Sequence, residues 1–178
     1  MLKEKIKSDL KEGLKARREI EVSTLRMVLA SVLNKEKEKR YKIFKEKPEF
    51  KEAELEKESE LTDEEIIEVF FSEQKKRKEA ILEFSAHGGS AEGGEKTKIE
   101  KAIDKEKAEM EILEKYLPEQ PSEQELKKLA MDAISQVGAK ELKDMGKVMA
   151  NLMPKLKGKV QGGQVSEIVK SLLKGGNK

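Results

Sequence analysis

The residues with the clearest potential for chemistry are lysines near the C-terminal end of the sequence. Segment 143–159 contains five lysines and a glycine that we take as candidate contact residues: Lys143, Gly146, Lys147, Lys155, Lys157 and Lys159. Ammonium groups gathered on one surface are the electrostatic footprint of a polyanion binder, and a glycine among them lets a partner's backbone approach closely. The pattern predicts phosphate contacts by this segment. Two plain alternatives stay open: the lysines only keep a small domain soluble, and Gly146 occupies a first helical turn, where its cost is small.

The distribution of charge supports the first interpretation. The whole chain has 38 basic and 36 acidic residues, a net charge of only +2. Residues 139–178 carry 9 basic against 3 acidic side chains, whereas residues 1–118 carry 27 basic and 29 acidic ones. The near-neutral total therefore hides a basic C-terminal region.

The sequence lacks the residue types that most catalytic and metal sites require. The chain has no cysteine and one histidine, His87, in a glycine-rich stretch where a solvated loop residue is expected. Thiolate zinc sites and cysteine nucleophiles are excluded, and no GxxxxGK[ST] motif is present. The 31 glutamates make adjacent carboxylates such as Glu64–Glu65 and Glu109–Glu111 unremarkable. We expect no catalytic residue, no cofactor and no metal.

Two further charged segments of the sequence are interpreted as exposed to solvent. The run KKRK at 75–78 winds around a predicted helix instead of lining one face, so it is interpreted as a solvated stretch. The N-terminal MLKEKIKSDL is amphipathic and charged, unlike a signal peptide, and no apolar run approaches the roughly 18 residues of a membrane span. We expect a cytoplasmic protein without a membrane partner.

The composition favours an all-α protein. Charged residues make up 42% and aromatic residues 4%, with Glu, Lys, Leu and Ala dominant and apolar residues at helical spacing. We predict an N-terminal helical domain over 1–118 and a small C-terminal three-helix bundle over 119–178, separated at Pro118 and Pro121.

The N-terminal domain is predicted to contain four main helices, at 2–16, 19–40, 62–86 and 96–117. Thr62 and Glu65 form a capping box at the start of the third. The buried face of the second helix is predicted to be Val22, Leu25, Leu29, Val32 and Leu33. Residues 41–60 are interpreted as a long solvated connection around Pro48, with a short helical piece near 51–59, and residues 87–95 as a loop.

The C-terminal bundle is more sharply punctuated. Ser122 and Glu125 form a second capping box, and Gly138 is the expected C-cap of the first bundle helix. In the middle helix, 142–156, the spacing places Met145, Met149, Leu152 and Leu156 on the inner side. Lys143, Gly146, Lys147 and Ala150 then fall on the outer side.

Several segments together resemble a known family. The pieces EILEKYLPEQPSEQEL (111–126), KDMGKVMANLMPKLKGK (143–159) and QVSEIVKSLL (164–173) are similar to the YqeY proteins and to the tail domain of GatB, a subunit of the tRNA-dependent amidotransferase. In the N-terminal half STLRMVLASVLNKE (23–36), LTDEEII (61–67) and QKKRKEAILEF (74–84) also resemble YqeY proteins, whereas 41–60 looks longer than the usual connection.

The resemblance implies a two-part helical protein whose tail bundle holds tRNA or another structured RNA. It carries the RNA-contacting role over to the five lysines and to Gly146 and Gly158. It also implies an alternative: a carbon–nitrogen ligase, or an accessory of one, that uses glutamine as amide donor, with amidotransferase subunits as partners. A protein-interaction module built on the N-terminal helices stays open as a further class. The catalytic portion of GatB has no counterpart here, and the oligomeric state is left open.

Overall fold

The computed structural model describes residues 1–88 and 94–175, and every regular element in that part of the chain is helical. The all-α prediction is confirmed. The helices are α1 (Leu2–Lys15), α2 (Glu19–Glu46), α3 (Glu52–Ser59), α4 (Asp63–Gly88), α5 (Gly94–Glu114), α6 (Glu123–Val137), α7 (Met145–Leu156) and α8 (Gly162–Gly175), with one 3₁₀ turn at Leu142–Asp144. None of the helices in the described ranges is long and apolar enough to cross a membrane.

The chain divides into two compact units, Met1–Tyr116 and Leu117–Lys178. In the first unit α2 packs against α1, α3, α4 and α5, and α4 packs along α5. Side chains from four of these helices form its core: Ile6, Leu25, Val28, Val32, Ile66, Val69, Phe70 and Leu113. The proposed independence of the two domains stays a prediction.

The long connection predicted at 41–60 is wrong, but the short helical piece predicted near 51–59 is confirmed as α3, Glu52–Ser59. Helix α2 continues six residues past the predicted end, to Glu46, so only residues 47–51 and Glu60 of this stretch lie outside helices. The stop has a local cause, because the residue before a proline is disfavoured in helical conformation. Lys47, which precedes Pro48, accordingly has φ −135° and ψ 70°.

The buried face of α2 also differs from the prediction. Val28 is fully buried, whereas Leu33 is 51% exposed. At 100° per residue Leu33 lies about 80° from the centre of the face formed by Val22, Leu25, Val28 and Val32, far enough to leave the core. The polar residue one turn after Val32, Glu36, is buried instead and accepts a hydrogen bond from Lys3 Nζ at 2.6 Å.

Helix α4 begins as predicted. The Thr62 amide donates to Glu65 Oε2 at 2.8 Å, and the Glu65 amide donates to Thr62 Oγ1 at 3.2 Å, so the capping box is confirmed. Helix α4 reaches Gly88 and α5 starts at Gly94, so both ends of the stretch predicted as a loop are helical. The remainder of that loop, 89–93, and the side chain of His87 lie outside the described residues.

A buried charge cluster joins α4 to α5. The side chain of Arg77 is 3% exposed, so the interpretation of KKRK as a wholly solvated stretch is wrong for this residue. Its guanidinium contacts Glu73 on α4 at 3.1 Å and Glu109 on α5 at 2.8 Å. A run of four cations on a helix covers all its sides, so one of them must face the neighbouring helix, and carboxylates there satisfy it.

In the second unit, helix α6 begins and ends as predicted, whereas the predicted middle helix 142–156 is divided into the 3₁₀ turn Leu142–Asp144 and α7. The Ser122 amide donates to Glu125 Oε2 at 2.8 Å, and the Glu125 amide donates to Ser122 Oγ at 3.2 Å. Gly138 ends α6 with φ +63°, the left-handed conformation that favours glycine. The core of the unit contains residues from all three helices and the turn before α8: Leu126, Ala130, Ala133, Val148, Leu152, Leu156, Val160, Val165, Val169 and Leu173.

Candidate nucleic-acid interface

Helix α7 has an apolar inner side and an outer side that carries short side chains and lysines. Its inner side buries Val148, Leu152 and Leu156, with Met145 and Met149 partly buried against the same core. Val148 is fully buried and was missed by the sequence analysis, although its spacing of four to Leu152 fits a helical face. Gly146, Lys147 and Ala150 are exposed, as the spacing predicted.

Short side chains form a strip along this outer side. Gly146, Ala150 and Pro154 follow one another at intervals of four residues and are all exposed. A Cβ atom added to Gly146 would meet no atom within 4 Å. Packing inside the unit therefore does not require glycine at position 146, and the helix backbone there is open to close approach.

Lys143 and Lys147 lie next to this strip and make only exposed ion pairs. Lys143 Nζ lies 2.8 Å from Glu141 Oε2, and Lys147 Nζ lies 3.2 Å from Asp144 Oδ1. The two lysine side chains are 74% and 72% exposed. Ion pairs in water are worth about 0–1 kcal/mol, so both ammonium groups can exchange these partners for phosphates at little cost.

Asp144 introduces a negative charge between these lysines. Its carboxylate accepts a hydrogen bond from the amide of Lys140 at 3.3 Å and another from Lys147 Nζ at 3.2 Å. These hydrogen bonds, that of the Lys140 amide foremost, lower the pKa of Asp144 from its ordinary value. The carboxylate therefore stays ionised near neutral pH and occupies the N-terminal end of α7, where an anion would otherwise be favoured.

Lys155 and Lys159 continue the basic surface at the other end of α7. Lys155 Nζ donates to Asn151 Oδ1 at 3.1 Å and to Gln136 Oε1 at 3.3 Å, which ties α7 to α6. Both lysines line a surface cleft that also contains Glu119 and Glu125. These carboxylates offset part of the charge of the cleft, as Glu141 and Asp144 do beside Lys143 and Lys147. Lys157 is exposed as well.

Gly158 does not lie where a contact residue should. It is buried, and its φ of +72° is in the left-handed region. The glycine is therefore explained by the turn that leads from α7 to α8, and not by the approach of a partner. A glycine one or two residues after the last helical turn is a common helix-stop signal, which the sequence analysis overlooked here.

Metal chemistry finds no support in the described ranges. Within residues 1–88 and 94–175 no group of three or more His, Cys, Asp or Glu side chains is placed to hold a metal ion.

The fold places this chain among the all-α proteins. A comparison with family models identifies its family. A family model described as Yqey-like protein matches residues 46–173. The chain therefore belongs to the YqeY-like family. The matched range includes α3 to α8 but begins after 23–36, so the resemblance of that segment stays a prediction, as does the similarity to the GatB tail. No curated protein matches the chain.

Proposed function

We propose that this protein binds tRNA or another structured RNA through the outer side of α7. The proposal assigns phosphate contacts to Lys143, Lys147, Lys155, Lys157 and Lys159, and close approach of the RNA backbone to Gly146. The observation that carries it is the open strip beside Lys143 and Lys147, where a glycine is kept that no internal contact requires.

The chemistry of this surface suits double-helical RNA better than single strands. A-form RNA is recognised mainly through its shape, its phosphates and its 2′-hydroxyl groups. Single-strand binders use aromatic side chains on which bases stack. Residues 117–178 contain no Phe, Tyr or Trp, so that platform is missing from the C-terminal unit. The resemblance of 143–159 to the tail of GatB is itself a prediction from the sequence, and the RNA-binding role it implies agrees with this proposal.

Binding to a folded tRNA, measured by filter retention or fluorescence anisotropy over a range of salt concentrations, tests the proposal. Neutralisation of about four to five phosphates gives a slope of log affinity against log salt of about −3 to −4. The double variant Lys143→Glu/Lys147→Glu should make the slope shallower by roughly 1.5–2 and lower the affinity at least about tenfold.

A matched control separates a specific surface from general charge. Lys128→Glu/Lys170→Glu changes the charge of the same unit equally, at two exposed positions on α6 and α8. We expect it to retain most of the affinity, and circular dichroism should show both double variants folded. Unchanged binding by Lys143→Glu/Lys147→Glu, or an equal loss in both double variants, contradicts the proposed interface.

A further inference from the structure

Helix α2 presents two aromatic rings to solvent near its C-terminal end. The side chain of Tyr41 is 60% exposed and that of Phe44 is 49% exposed. Residues three positions apart lie about 60° from each other around a helix, so both rings share one side of α2. A third ring, that of Phe50, is partly exposed after the helix, with Lys47 Nζ 4.8 Å from its centroid. Single exposed apolar residues are ordinary, but a pair of rings offers two flat surfaces to a ligand.

Lysines lie beside the two rings of α2. Lys37 precedes Tyr41 by four residues and Lys45 follows it by four, so all three lie on the same side of the helix. Lys45 Nζ lies 4.5 Å from the centroid of the Tyr41 ring. Segment 37–51 contains 7 basic and 3 acidic residues, a net charge of +4. This part of the chain therefore combines exposed rings with a local excess of positive charge.

The fold of the first unit uses other cations of α2. Lys39 pairs with a carboxylate of α4 at 2.9 Å, and Arg40 pairs with a carboxylate of α3 at 3.5 Å. Lys37 and Lys45, in contrast, have no carboxylate at ion-pair distance among the residues that the structure describes. Glu38 lies at the edge of the same side of the helix and offsets one of these charges. The two lysines are therefore available to an anionic ligand.

We propose that the side of α2 formed by Lys37, Tyr41, Phe44 and Lys45 binds a single strand of nucleic acid. Two bases stack on the two rings, and the two ammonium groups, about 12 Å apart along the helix, hold phosphates of the strand. Stacking on aromatic side chains beside positive charge is a common way in which proteins bind single strands. The contact of Lys45 with the Tyr41 ring is exposed and weak, so a base can take its place on the ring while the ammonium group turns to a phosphate.

The two rings favour a single strand over other anionic partners. In a double helix the neighbouring base pairs cover the faces of each base, whereas an unpaired base offers a free face to an aromatic side chain. An acidic peptide would satisfy the lysines, but its carboxylates would leave the rings without a planar partner. The inference does not rest on the function proposed for α7, because that surface lies in the other unit and lacks aromatic side chains.

Fluorescence anisotropy of the full chain with labelled oligouridine and oligothymidine, each of about twelve nucleotides, tests the surface. Tyr41→Ala/Phe44→Ala should lower the affinity at least about tenfold and leave its salt dependence unchanged, because no charge is removed. Lys37→Ala/Lys45→Ala should make the slope of log affinity against log salt shallower by about 1.4, since each phosphate contact with a single strand contributes about 0.7. Binding of either oligonucleotide supports the proposal and shows which sugar the surface accepts.

Two matched variants separate the rings from general surface effects. Tyr41→Phe/Phe44→Tyr keeps both rings and should keep the affinity. Ile20→Ala/Leu82→Ala removes two exposed apolar side chains elsewhere in the same unit and should also bind normally. No binding of either oligonucleotide by the unaltered chain, or an equal loss in Ile20→Ala/Leu82→Ala, overturns the proposal.

The double glutamate variant of α7 described above separates this surface from the proposed interface with structured RNA. It should retain most of the affinity for the oligonucleotides, since its two lysines do not belong to the α2 surface. Loss of oligonucleotide binding in the α7 variant, with normal binding by Tyr41→Ala/Phe44→Ala, would place the strand on α7 and overturn the assignment to α2. Failure of tRNA binding alone leaves the α2 surface standing.

Tyrosine emission reports the stacking directly. The chain has two tyrosines and no tryptophan, so Tyr116→Phe leaves Tyr41 as the single emitter. The oligonucleotide should quench this emission on binding, because a base then lies against the ring. Polyglutamate, a polyanion without bases, should leave the emission unchanged and compete only weakly for the protein. Unchanged emission at saturation with the oligonucleotide, or equal competition by polyglutamate, would mean that charge alone is recognised, and overturns the proposal.

Discussion

Arg77 and Glu109 form an ion pair in the interior of the first unit, with 2.8 Å between Nη2 and Oε2 and side chains only 3% and 5% exposed. Arg77 also donates through Nη1 to the carboxylate of Glu73 at 3.1 Å and to its carbonyl oxygen at 3.0 Å. Glu73 in turn accepts from Ser31 on α2 and from Lys76. One cation thus fixes α4 against α5, and its partner carboxylate reaches α2.

Loss of this cation should destabilise the first unit strongly. Arg77→Met keeps much of the side-chain volume but leaves the buried carboxylates of Glu73 and Glu109 with only the exposed Lys76 and Lys105 as cationic partners. Removal of one partner from a buried pair costs about 3–5 kcal/mol. Urea unfolding followed by circular dichroism should show a loss in that range.

The neighbouring lysine supplies the control for Arg77. Lys75 is exposed and its ion pair with Glu79 has 3.7 Å between nitrogen and oxygen, with both side chains 63% exposed. Lys75→Met should therefore change the free energy of unfolding by no more than about 0.5 kcal/mol. Similar costs for the two variants would mean that the buried cluster does not hold the helices together.

Glu73 should make the stability sensitive to acid. Burial by itself raises the pKa of Glu73, but hydrogen bonds from Lys76, Arg77 and Ser31 outweigh it and hold this pKa below its usual value. A lowered pKa in the folded state stabilises the fold above the pKa of the unfolded chain, and this contribution is lost as the pH falls below about 4.5.

The variant Glu73→Gln isolates this contribution. It should be less stable than the unaltered chain at neutral pH, and it should lose less stability on acidification, since it has no carboxylate to protonate at this position. Urea midpoints at a series of pH values between about 7 and 3 measure both effects. Parallel acid profiles for the two proteins would assign the acid sensitivity to other carboxylates.

Tyr116 should make the stability of the fold sensitive to alkaline pH. Its hydroxyl donates to Asp9 Oδ2 at 2.6 Å, and its ring stacks on Phe70 with 5.1 Å between centroids. Burial above all, and then this hydrogen bond to Asp9, raise the pKa of Tyr116. A raised pKa in the folded state stabilises the fold below the unfolded value of about 10, and this contribution is lost as the pH rises above it.

Tyr116→Phe keeps the stack and removes the hydroxyl. It should cost about 1–2 kcal/mol at neutral pH, because Asp9 is half-buried and loses one hydrogen bond. The variant should also lose less stability than the unaltered chain when the pH is raised above about 10. Tyr41→Phe, at a position 60% exposed, is the control and should leave the stability at neutral pH nearly unchanged. If both variants respond alike, the Asp9 contact contributes nothing.

The helices and their caps were accessible from sequence because they depend on local interactions. The capping boxes at Thr62 and Ser122 and the stop at Gly138 each involve residues within four positions of one another. Periodicity likewise placed Gly146 and Ala150 on the outer side of α7. These features can be derived without knowledge of which helices are neighbours.

The errors concern residues whose environment is set by distant parts of the chain. Arg77 looked like one of four solvated cations, and only the arrival of Glu109 from α5 makes its burial favourable. Leu33 looked like a core residue, but the neighbours of α2 cover a face centred elsewhere. For the five lysines in and beside α7, sequence and structure agree on exposure and charge, because both depend on the helical phase of this segment alone.

Gly138 and Gly146 both lie in open surroundings, but they differ in backbone conformation. A Cβ atom would meet nothing within 4 Å at either Gly138 or Gly146. Gly138 has φ +63°, so Gly138→Ala should destabilise the second unit by about 1 kcal/mol through backbone strain. Gly146 lies in the first turn of α7, so Gly146→Ala should stabilise the unit by up to about 0.5 kcal/mol.

The RNA affinity of the same two variants then shows why each glycine is present. Gly138→Ala should bind RNA normally under conditions in which it is folded, since this residue only ends α6. Gly146→Ala should bind more weakly although it is more stable, because the added methyl group stands on the strip assigned to the RNA backbone. A more stable Gly146→Ala protein with unchanged affinity would mean that the RNA backbone does not approach α7 closely at this point.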